Sequence, residues 1–331
     1  MGSTVQPNID YTLLKGRSAI ITGGASGLGE QTTIKFAENG AYVTIADLQD
    51  DLGKQLAQRL SNEGHKVSYV HCDTTDWKSS AAAFRHAANF APSKTLDIAA
   101  LFAGIDGDRT SLVDQVAKEP IPSLDEDLAE PKLHRAININ LIGVYLSSYL
   151  ALQYFRLKPA DGSSQSFKKS LILISSIMGY VDGTYNTDYG ASKFGVRGLF
   201  RSIRSTAHKL DVRVNNIAPG YVLTPLVKRV HQIERPDQTS IHGRKLPWTP
   251  IEHVVAAASY CAVNDDVAGM ASSRPARHLG SLTWCIGRTL TIMPSGFHDI
   301  DEEAKVGYGG KNFVHILARD GLMDALGVSL E

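Results

Sequence analysis

The stretch that decides the fold lies near the beginning of the chain and reads Thr22-Gly23-Gly24-Ala25-Ser26-Gly27-Leu28-Gly29. It follows the apolar run 18–21 and precedes the helix-like stretch 30–38. Glycines permit a tight turn and the close approach of a phosphate to the backbone, and a helix N-terminus attracts its negative charge. The spacing Gly-x-x-x-Gly-x-Gly differs from the common fingerprint Gly-x-Gly-x-x-Gly. The order of strand, glycine turn and helix predicts a phosphate-binding loop, with a ligand-free turn as the alternative.

Outside this loop, short β-branched segments alternate with segments of helical periodicity. The predicted strands are 17–22, Tyr42–Asp47, Val67–Cys72, Ile98–Ala103, Leu171–Ser175, Val212–Ile217 and Thr289–Met293. The predicted helices are 27–39, 49–62, 77–90, 133–156, 189–209 and 251–263; in the second, Leu48, Leu52, Leu56 and Leu60 recur every four residues. The strands are apolar on both faces, as strands covered by helices should be. This alternation predicts an α/β fold, a doubly wound, Rossmann-like parallel sheet of about seven strands with helices on both faces.

Composition narrows the class of protein. The 331 residues hold 34 basic and 34 acidic side chains, so no net charge attracts nucleic acid or an anionic membrane. The three cysteines lack paired or metal-like spacing, which indicates reduced thiols, and the eleven histidines show no metal-binding spacing. No apolar run approaches 18 residues, and no secretory signal is visible. We therefore expect a cytoplasmic protein with no metal, no membrane span and no nucleic-acid partner.

Three segments look like additions to the sheet: 106–131, 158–169 and 224–282. Ligands of such sheets bind outside the carboxyl ends of the strands, so a long excursion there tends to cover the pocket. We expect one domain over 1–331, an inserted lid or substrate loop over 225–285, and a C-terminal extension over 297–331 with a helix near 312–326. Solvated elaborations or oligomer contacts are the alternative for the insertions.

A second motif, Tyr189-Gly190-Ala191-Ser192-Lys193, suggests chemistry. A phenol and an ammonium four residues apart share one face of a helix. The ordinary pKa of tyrosine is near 10, and a neighbouring cation favours the phenolate, so we expect Lys193 to lower the pKa of Tyr189 and make it a useful acid and base. Taken singly, Tyr189 could be a half-buried helix residue, and Ser176, thirteen residues earlier, could be a strand cap.

Taken together, Thr22-Gly23-x-x-x-Gly27-x-Gly29, Ser176 and Tyr189-x-x-x-Lys193 resemble the short-chain dehydrogenases/reductases of the simple, single-domain type. The resemblance covers about residues 15–225 and resumes near Gly287. It implies an NAD(P)-dependent oxidoreductase acting on CH–OH groups, which transfers a hydride between nicotinamide and a secondary alcohol or its ketone.

The resemblance also implies catalytic roles. Tyr189 would be the general acid and base, Lys193 would also bind the nicotinamide ribose, and Ser176 would polarise the substrate oxygen. Asn140 would support a water that links Lys193 outward; its Asn-Leu-x-Gly context favours it over Asn138. Ser175 competes with Ser176, but the spacing to Tyr189 favours Ser176.

The choice between the two nicotinamide cofactors depends on Asp47, twenty residues after Gly27. An acid there accepts a hydrogen bond from the ribose 2′-hydroxyl and repels a 2′-phosphate, and neither Leu48 nor Gln49 supplies the cation that NADP needs. Ser26 also lacks a basic side chain. We therefore expect NAD, with NADP less favoured; Asp47 could also cap the following helix.

Other positions complete the cofactor set that the resemblance implies. Asp73 would bind the adenine amino group, or form a simple Asx-turn, and Phe102 stands where the family usually has an asparagine that braces the sheet. The Val222 backbone and the Thr224 hydroxyl would hold the carboxamide. The full predicted set is Gly23, Ser26, Gly27, Leu28, Asp47, Leu48, Asp73, Thr74, Ala103, Gly104, Tyr189, Lys193, Pro219, Gly220, Val222 and Thr224.

The expected substrate is a small molecule with a bulky hydrophobic body, such as a polyketide, steroid or lipid-like alcohol, because the candidate residues at the rim of the pocket are apolar or aromatic. These are Met178, Tyr180, Tyr185, Tyr221, Leu226 and Trp248. The additions resemble those of oxidoreductases of fungal secondary metabolism, and relatives pair through the helices 133–156 and 189–209, which implies a homodimer or homotetramer. The alternatives are an NADPH-dependent ketoreductase and a non-catalytic dinucleotide-binding protein.

Overall fold

The structure, a computed structural model, describes residues 4–5, 8–128, 135–160, 167–181, 186–231, 240–241, 244–245, 247–264, 289–293 and 296–300. Its strands are β1 (Thr4–Val5), β2 (Ser18–Thr22), β3 (Tyr42–Asp47), β4 (Lys66–His71), β5 (Ile98–Leu101), β6 (Lys169–Ile174), β7 (Val212–Pro219), β8 (Tyr221–Val222), β9 (Ser240–Ile241), β10 (Arg244–Lys245), β11 (Trp248–Thr249), β12 (Thr289–Met293) and β13 (Gly296–Ile300). Its α-helices are α1 (Gly27–Glu38), α2 (Asp50–Asn62), α3 (Trp77–Phe90), α4 (Leu112–Val116), α5 (Arg135–Ile137), α6 (Val144–Tyr154), α7 (Thr187–Arg204), α8 (Pro225–His231) and α9 (Ile251–Val263).

Among the described residues, the main sheet has nine strands in the order β1-β13-β12-β7-β6-β5-β2-β3-β4. The seven from β12 to β4 are parallel, which confirms the predicted doubly wound sheet. The chain passes from β2 to β3 on one side and returns to β5 on the other, so the topological switch point lies between β2 and β5. Ligands of such sheets bind at this point, outside the carboxyl ends of the strands.

Two strands at the edge of this sheet were not predicted. β13 pairs antiparallel with β12, and β1 pairs antiparallel with β13, so residues from both ends of the chain extend the sheet. Their pairing depends on contacts between distant segments, which local periodicity does not report. The remaining predicted elements agree with the structure to within a few residues at their ends, and α3 and α9 have the predicted bounds.

Buried side chains form one core on each face of the sheet, because successive residues of a strand point to opposite faces. In β2, Ile21 belongs to the core beneath α1, α2 and α9, whereas Ile20 belongs to the core beneath α3, α6 and α7. The predicted leucine stripe of α2 is only half buried: Leu56 and Leu60 lie in the core, while Leu48 and Leu52 are exposed. A period of four drifts around a helix of 3.6 residues per turn, so the stripe leaves the core.

Arg213 caps the C-terminal end of α9. It is 1% exposed, and its guanidinium donates hydrogen bonds to the carbonyl oxygens of Cys261, Ala262 and Asn264 at 2.5, 2.7 and 3.2 Å. A further bond joins it to the Lys168 carbonyl oxygen at 3.2 Å. The last carbonyls of a helix have no partner within the helix, so this side chain satisfies groups that burial would otherwise penalise.

Several predictions fall outside the described residues. They are most of the predicted lid and extension, the helix near 312–326, Tyr185, Cys285 and Gly287. Within the described part of the chain, no helix combines the length and apolar character needed to cross a bilayer.

Candidate active site

The glycine loop closes between β2 and α1 in a shape that side chains would prevent. Gly23 and Gly27 have φ of +68° and +56°, in the left-handed region that favours glycine. A Cβ on Gly23 would lie 2.7 Å from the Ala103 backbone, and one on Gly29 would lie 2.1 Å from the Gly23 carbonyl oxygen. The loop therefore leaves the N-terminus of α1 open to an approaching anion, as a phosphate site requires.

Asp47 fastens this loop to the end of β3. Its carboxylate is buried and accepts hydrogen bonds from the backbone N–H groups of Ala25 and Gln49, both at 2.9 Å. An ionised carboxylate has about four lone-pair sites, so Asp47 keeps capacity to accept from a ribose hydroxyl. The predicted role as the N-cap of α2 is wrong, because Gln49 occupies that position. Asp47 instead holds the backbone of Ala25 and Gln49, which is compatible with contact to a ribose.

A cavity of about 830 Å³ lies along the carboxyl ends of β2, β3, β4 and β5. Most predicted cofactor-binding residues line it: Gly23, Ser26, Gly27, Leu28, Asp47, Leu48, Asp73, Thr74, Ala103, Gly104 and Thr224. Five predicted members do not line it: Tyr189, Lys193, Pro219, Gly220 and Val222. Its volume and its glycine cradle fit a dinucleotide. No group of three His, Cys, Asp or Glu side chains within the described ranges could hold a metal ion.

Two cations in the cavity wall were missed by sequence reasoning. Arg59 on α2 and Arg229 on α8 both line it, and Arg59 also lies 3.6 Å from the carboxylate of Glu63. A signal for Arg59 was present, because Leu52, Gln55, Leu56 and Arg59 follow the i, i+3, i+4, i+7 spacing of one helix face. No comparable sequence pattern predicts that Arg229 lines the cavity, since its position depends on how α8 packs against the rest of the protein.

Asp73 forms the Asx-turn that was the alternative to adenine binding. Its carboxylate accepts hydrogen bonds from the backbone N–H and the hydroxyl of Thr75 at 2.8 and 2.7 Å. These bonds hold the pKa of Asp73 below its usual value, and the bond from the hydroxyl has the larger effect. Asp73 still lines the cavity, so the turn does not exclude contact with a ligand.

The segment at Phe102, where the family usually has an asparagine, is hydrogen-bonded to the neighbouring strand. The Thr22 carbonyl oxygen accepts from the Phe102 N–H at 3.0 Å, and the Thr22 hydroxyl oxygen accepts from the Ala103 N–H at 3.3 Å. Thr22 therefore joins the end of β2 to the segment after β5, at the switch point.

The three predicted reacting groups come together beside this cavity. The Ser176 side chain lies close enough to the Tyr189 hydroxyl to affect its pKa, and the Lys193 ammonium lies 5.4 Å from the centre of the Tyr189 ring. Lys193 is buried and donates to the Ile174 carbonyl oxygen at 3.1 Å. Ser176 also accepts from the Met178 N–H at 3.2 Å and so begins the short 3-10 turn Ile177–Gly179.

The expected lowering of the Tyr189 pKa is wrong in this structure. Burial raises the pKa of Tyr189 to about 12; the Ser176 hydrogen bond opposes this, whereas the charge of Asp106 adds to it. Burial also lowers the pKa of Lys193 to about 8. Desolvation disfavours the charged form of both side chains, and it is the largest cause of both shifts.

The two adjacent serines have different surroundings. Ser175 donates to the Ile217 carbonyl oxygen at 3.3 Å and accepts from the Asn216 amide at 2.8 Å, so it is held against β7. Ser176 is the serine that contacts Tyr189. The structure thus brings Ser176, and not Ser175, to the phenol.

Asn140 lies in a π-helical segment, Asn138–Gly143, that interrupts the predicted helix 133–156. Its buried amide exchanges two hydrogen bonds of 2.9 Å with the backbone of Ile105 and donates to the Ser192 hydroxyl at 3.2 Å. Asn138 is exposed. A π-bulge re-aims side chains and often marks a functional site, and this one links the segment after β5 to the helix that carries Tyr189.

The predicted pocket rim needs one correction. Tyr180 is 1% exposed and belongs to the core, where its ring lies 4.1 Å from the Arg197 guanidinium and its hydroxyl accepts from Asn216 at 3.2 Å. Met178, Tyr221 and Trp248 are partly buried, and the last two pack edge to face at 6.4 Å. Leu226 lines the cavity.

Comparisons with known proteins show which proteins this chain resembles. Residues 17–235 match the family described as "short chain dehydrogenase". The chain is 42% identical to a 5'-hydroxyaverantin dehydrogenase of Dothistroma septosporum over 94% of its own length and 95% of that protein. It is 34% identical to NADP-dependent dehydrogenase M3 of a Phoma species, over 65% and 62%. A solved short-chain type dehydrogenase/reductase from Mycobacterium marinum superposes with a TM-score of 0.59 and 25% identity, covering 77% of this chain and 91% of that one.

Proposed function

Because this chain belongs to the short-chain dehydrogenase family and is an NAD(P)-dependent oxidoreductase acting on CH–OH groups, we propose that Ser176, Tyr189, Lys193 and Asn140 carry its chemistry. The observation that supports this most is the contact of Ser176 with Tyr189, one helical turn from Lys193 and beside the glycine-lined cavity. The nicotinamide cofactor, when bound, supplies the hydride acceptor or donor.

The protein's own residues orient the alcohol and move its proton. Ser176 donates a hydrogen bond to the substrate oxygen, and Tyr189 accepts the hydroxyl proton in oxidation or returns it in reduction. Lys193 binds a ribose hydroxyl. Asn140 holds the Ile105 backbone and Ser192, and so positions the helix face that carries Tyr189. Lys193 is buried and Tyr189 is partly buried, so the surrounding residues limit the access of water to the proton transfer.

We further propose NAD as the preferred cofactor. Asp47 is the buried carboxylate at the end of β3 and would repel a 2′-phosphate. The opposing features are Arg59 and Arg229 in the cavity wall, and Arg59 is offset by Glu63. The wild-type protein should therefore bind NADH at least about tenfold more tightly than NADPH, roughly 1.4 kcal/mol.

Asp47→Asn tests this preference by fluorescence titration with both cofactors. It removes the repulsive charge while keeping a side-chain oxygen, so the NADH preference should shrink. Asp51→Asn makes the same charge change on the exposed first turn of α2 and should leave the preference unaltered. Tenfold tighter binding of NADPH to the wild type would contradict the assignment.

The proposed substrate is a bulky hydrophobic secondary alcohol, or its ketone, of secondary metabolism. Tyr221 and Trp248 form an aromatic pair, and Met178 lies near Ser176, the proposed catalytic serine. These apolar side chains favour a bulky apolar substrate. The relative named for 5'-hydroxyaverantin supports the same class. The proposal can be tested with a panel of lipophilic secondary alcohols and ketones. Turnover of each compound is detected by the absorbance of the reduced nicotinamide, with both the NAD and the NADP forms of the cofactor. Cofactor binding without turnover of any compound would instead support a non-catalytic dinucleotide-binding protein.

We propose the remaining organisation by the same reasoning. The chain forms one domain, in which 225–285 covers the substrate and 297–331 is an extension, and it acts in the cytoplasm. Exposed apolar side chains on the helical segments 138–154 and 187–204, namely Ile142, Tyr145, Tyr149 and Phe194, support pairing through those helices. A monomer by light scattering would contradict the homodimer or homotetramer.

A further inference from the structure

The segment that follows β5 presents a carboxylate, Asp106, beside the reacting groups. Two side-chain amides fasten this segment: Asn140 bonds both the N–H and the carbonyl of Ile105, and Asn186 donates to Asp106 Oδ1 at 2.6 Å. The Gly107 N–H also donates to the same oxygen at 3.0 Å. Asn186 directly precedes α7, three residues before Tyr189, so Asp106 has a defined position relative to the phenol.

Asp106 lies near two tyrosines of different elements. Its charge acts on Tyr189 of α7 and on Tyr221 of β8, and Arg109 acts on Tyr221 from the same segment. The Asp106 side chain is 18% exposed, and its Oδ2 lies 3.9 Å from Arg109 Nε. Oδ1 carries the bonds from Asn186 and Gly107, so Oδ2 is the oxygen with acceptor capacity to spare.

The charges around Asp106 define what it can bind. A bulky substrate that enters beside Tyr189 and Tyr221 displaces water from the carboxylate, and a desolvated carboxylate without a donor is costly. Arg109 already offsets the negative charge, so a cationic ligand gains little, and an anionic ligand is repelled. A neutral hydrogen-bond donor remains, which in an alcohol substrate is a second hydroxyl group.

We propose that Asp106 accepts a hydrogen bond from a second hydroxyl of the substrate, away from the reacting carbon, and so selects dihydroxylated secondary alcohols. This inference rests on the proposed oxidoreductase function and concerns the same site. Hydrogen bonds to charged groups contribute about 1.5–3 kcal/mol, so loss of the second hydroxyl should lower kcat/KM about 10- to 150-fold.

The test compares a lipophilic diol with its mono-O-methyl ether, methylated at the non-reacting hydroxyl, in the wild type and in Asp106→Asn. The wild type should prefer the diol at least about tenfold, and Asp106→Asn should reduce the preference to within about threefold, mainly by lowering kcat/KM for the diol. Asp108→Asn is the matched control. It removes the same charge two residues away, from an exposed side chain that acts on Asp188 and not on Tyr189.

The pH profile of alcohol oxidation gives a second measurement. Its midpoint would not change if Asp106 had only a structural role. The groups around Tyr189 are Ser176 from the strand end, Lys193 and Asp188 from α7, Asp106 and Arg109 from the segment after β5, and Tyr221 from β8. Asp106 raises the pKa of Tyr189, so its neutralisation should move the rise of alcohol oxidation to lower pH. Asp108→Asn should leave that midpoint in place.

The outcomes separate the two proposals. Equal diol preference in the wild type and Asp106→Asn, or no preference in a wild type that oxidises both compounds, overturns the role of Asp106 and leaves the proposed function standing. No oxidation of any secondary alcohol in the wild-type screen, with cofactor bound, overturns both.

Discussion

Tyr189→Phe is expected to lower kcat/KM by about 10²–10⁴-fold, the usual contribution of a positioned acid and base. The change removes one oxygen atom, whose contact in the structure is the Ser176 hydroxyl. Without it, no group at that position can take the proton of the substrate hydroxyl. Steady-state kinetics with an alcohol from the screen measures the loss, and NADH titration should show nearly unchanged affinity.

Tyr11→Phe is a suitable control for this experiment. Tyr11 lies in the short 3-10 helix Tyr11–Leu14 and does not line the cavity, so loss of its hydroxyl should leave both turnover and cofactor affinity unchanged. Because the Tyr189 hydroxyl makes one weak contact, its removal should cost at most about 1 kcal/mol of stability, and the variant should fold. Turnover by Tyr189→Phe at the wild-type rate would show that another group transfers the proton.

Arg213→Met should lower the free energy of unfolding by about 3–5 kcal/mol, comparable to the removal of one partner from a buried charged network. Methionine restores much of the side-chain volume but none of the donors, so three carbonyl oxygens at the end of α9 and that of Lys168 lose a partner. Urea unfolding followed by far-UV circular dichroism measures the change. Arg213 lies at the amino end of β7, opposite the site, so residual activity per folded molecule should be unchanged.

Arg156→Met is the matched substitution on the surface. Arg156 is exposed and donates one hydrogen bond, to Gln153, so its effect should remain within about 0.5 kcal/mol. Arg213→Lys keeps the charge with fewer, differently placed donors and should give an intermediate loss. Equal unfolding midpoints for Arg213→Met and Arg156→Met would show that the guanidinium does not stabilise α9.

Some features of the site could be predicted because they depend on neighbours in the chain. The glycine spacing of 23–29 reports a turn that only glycine tolerates, since Gly23 and Gly27 have positive φ and a Cβ on Gly29 would meet the Gly23 carbonyl oxygen. The four-residue spacing of Tyr189 and Lys193 places them on one helix face without further information. The periods of α3 and α9 predicted their bounds for the same reason.

Other features could not be predicted, because they join residues that are far apart in the chain. The contact of Asp106 with Asn186 spans 80 residues, and that of Asn140 with Ile105 spans 35. The pKa of Tyr189 is a similar case: the helix places a cation nearby, but the depth of burial decides the direction of the shift.

Sequence alone therefore determined the α/β class, the glycine turn and the spacing of the candidate reacting groups, since each is a consequence of backbone geometry over a few residues. Only the tertiary structure decided the antiparallel edge formed by β13 and β1, the capping of α9 by Arg213 and the carboxylate beside Tyr189. Those features arise when packed elements bring distant polar groups together and burial then requires that each has a partner.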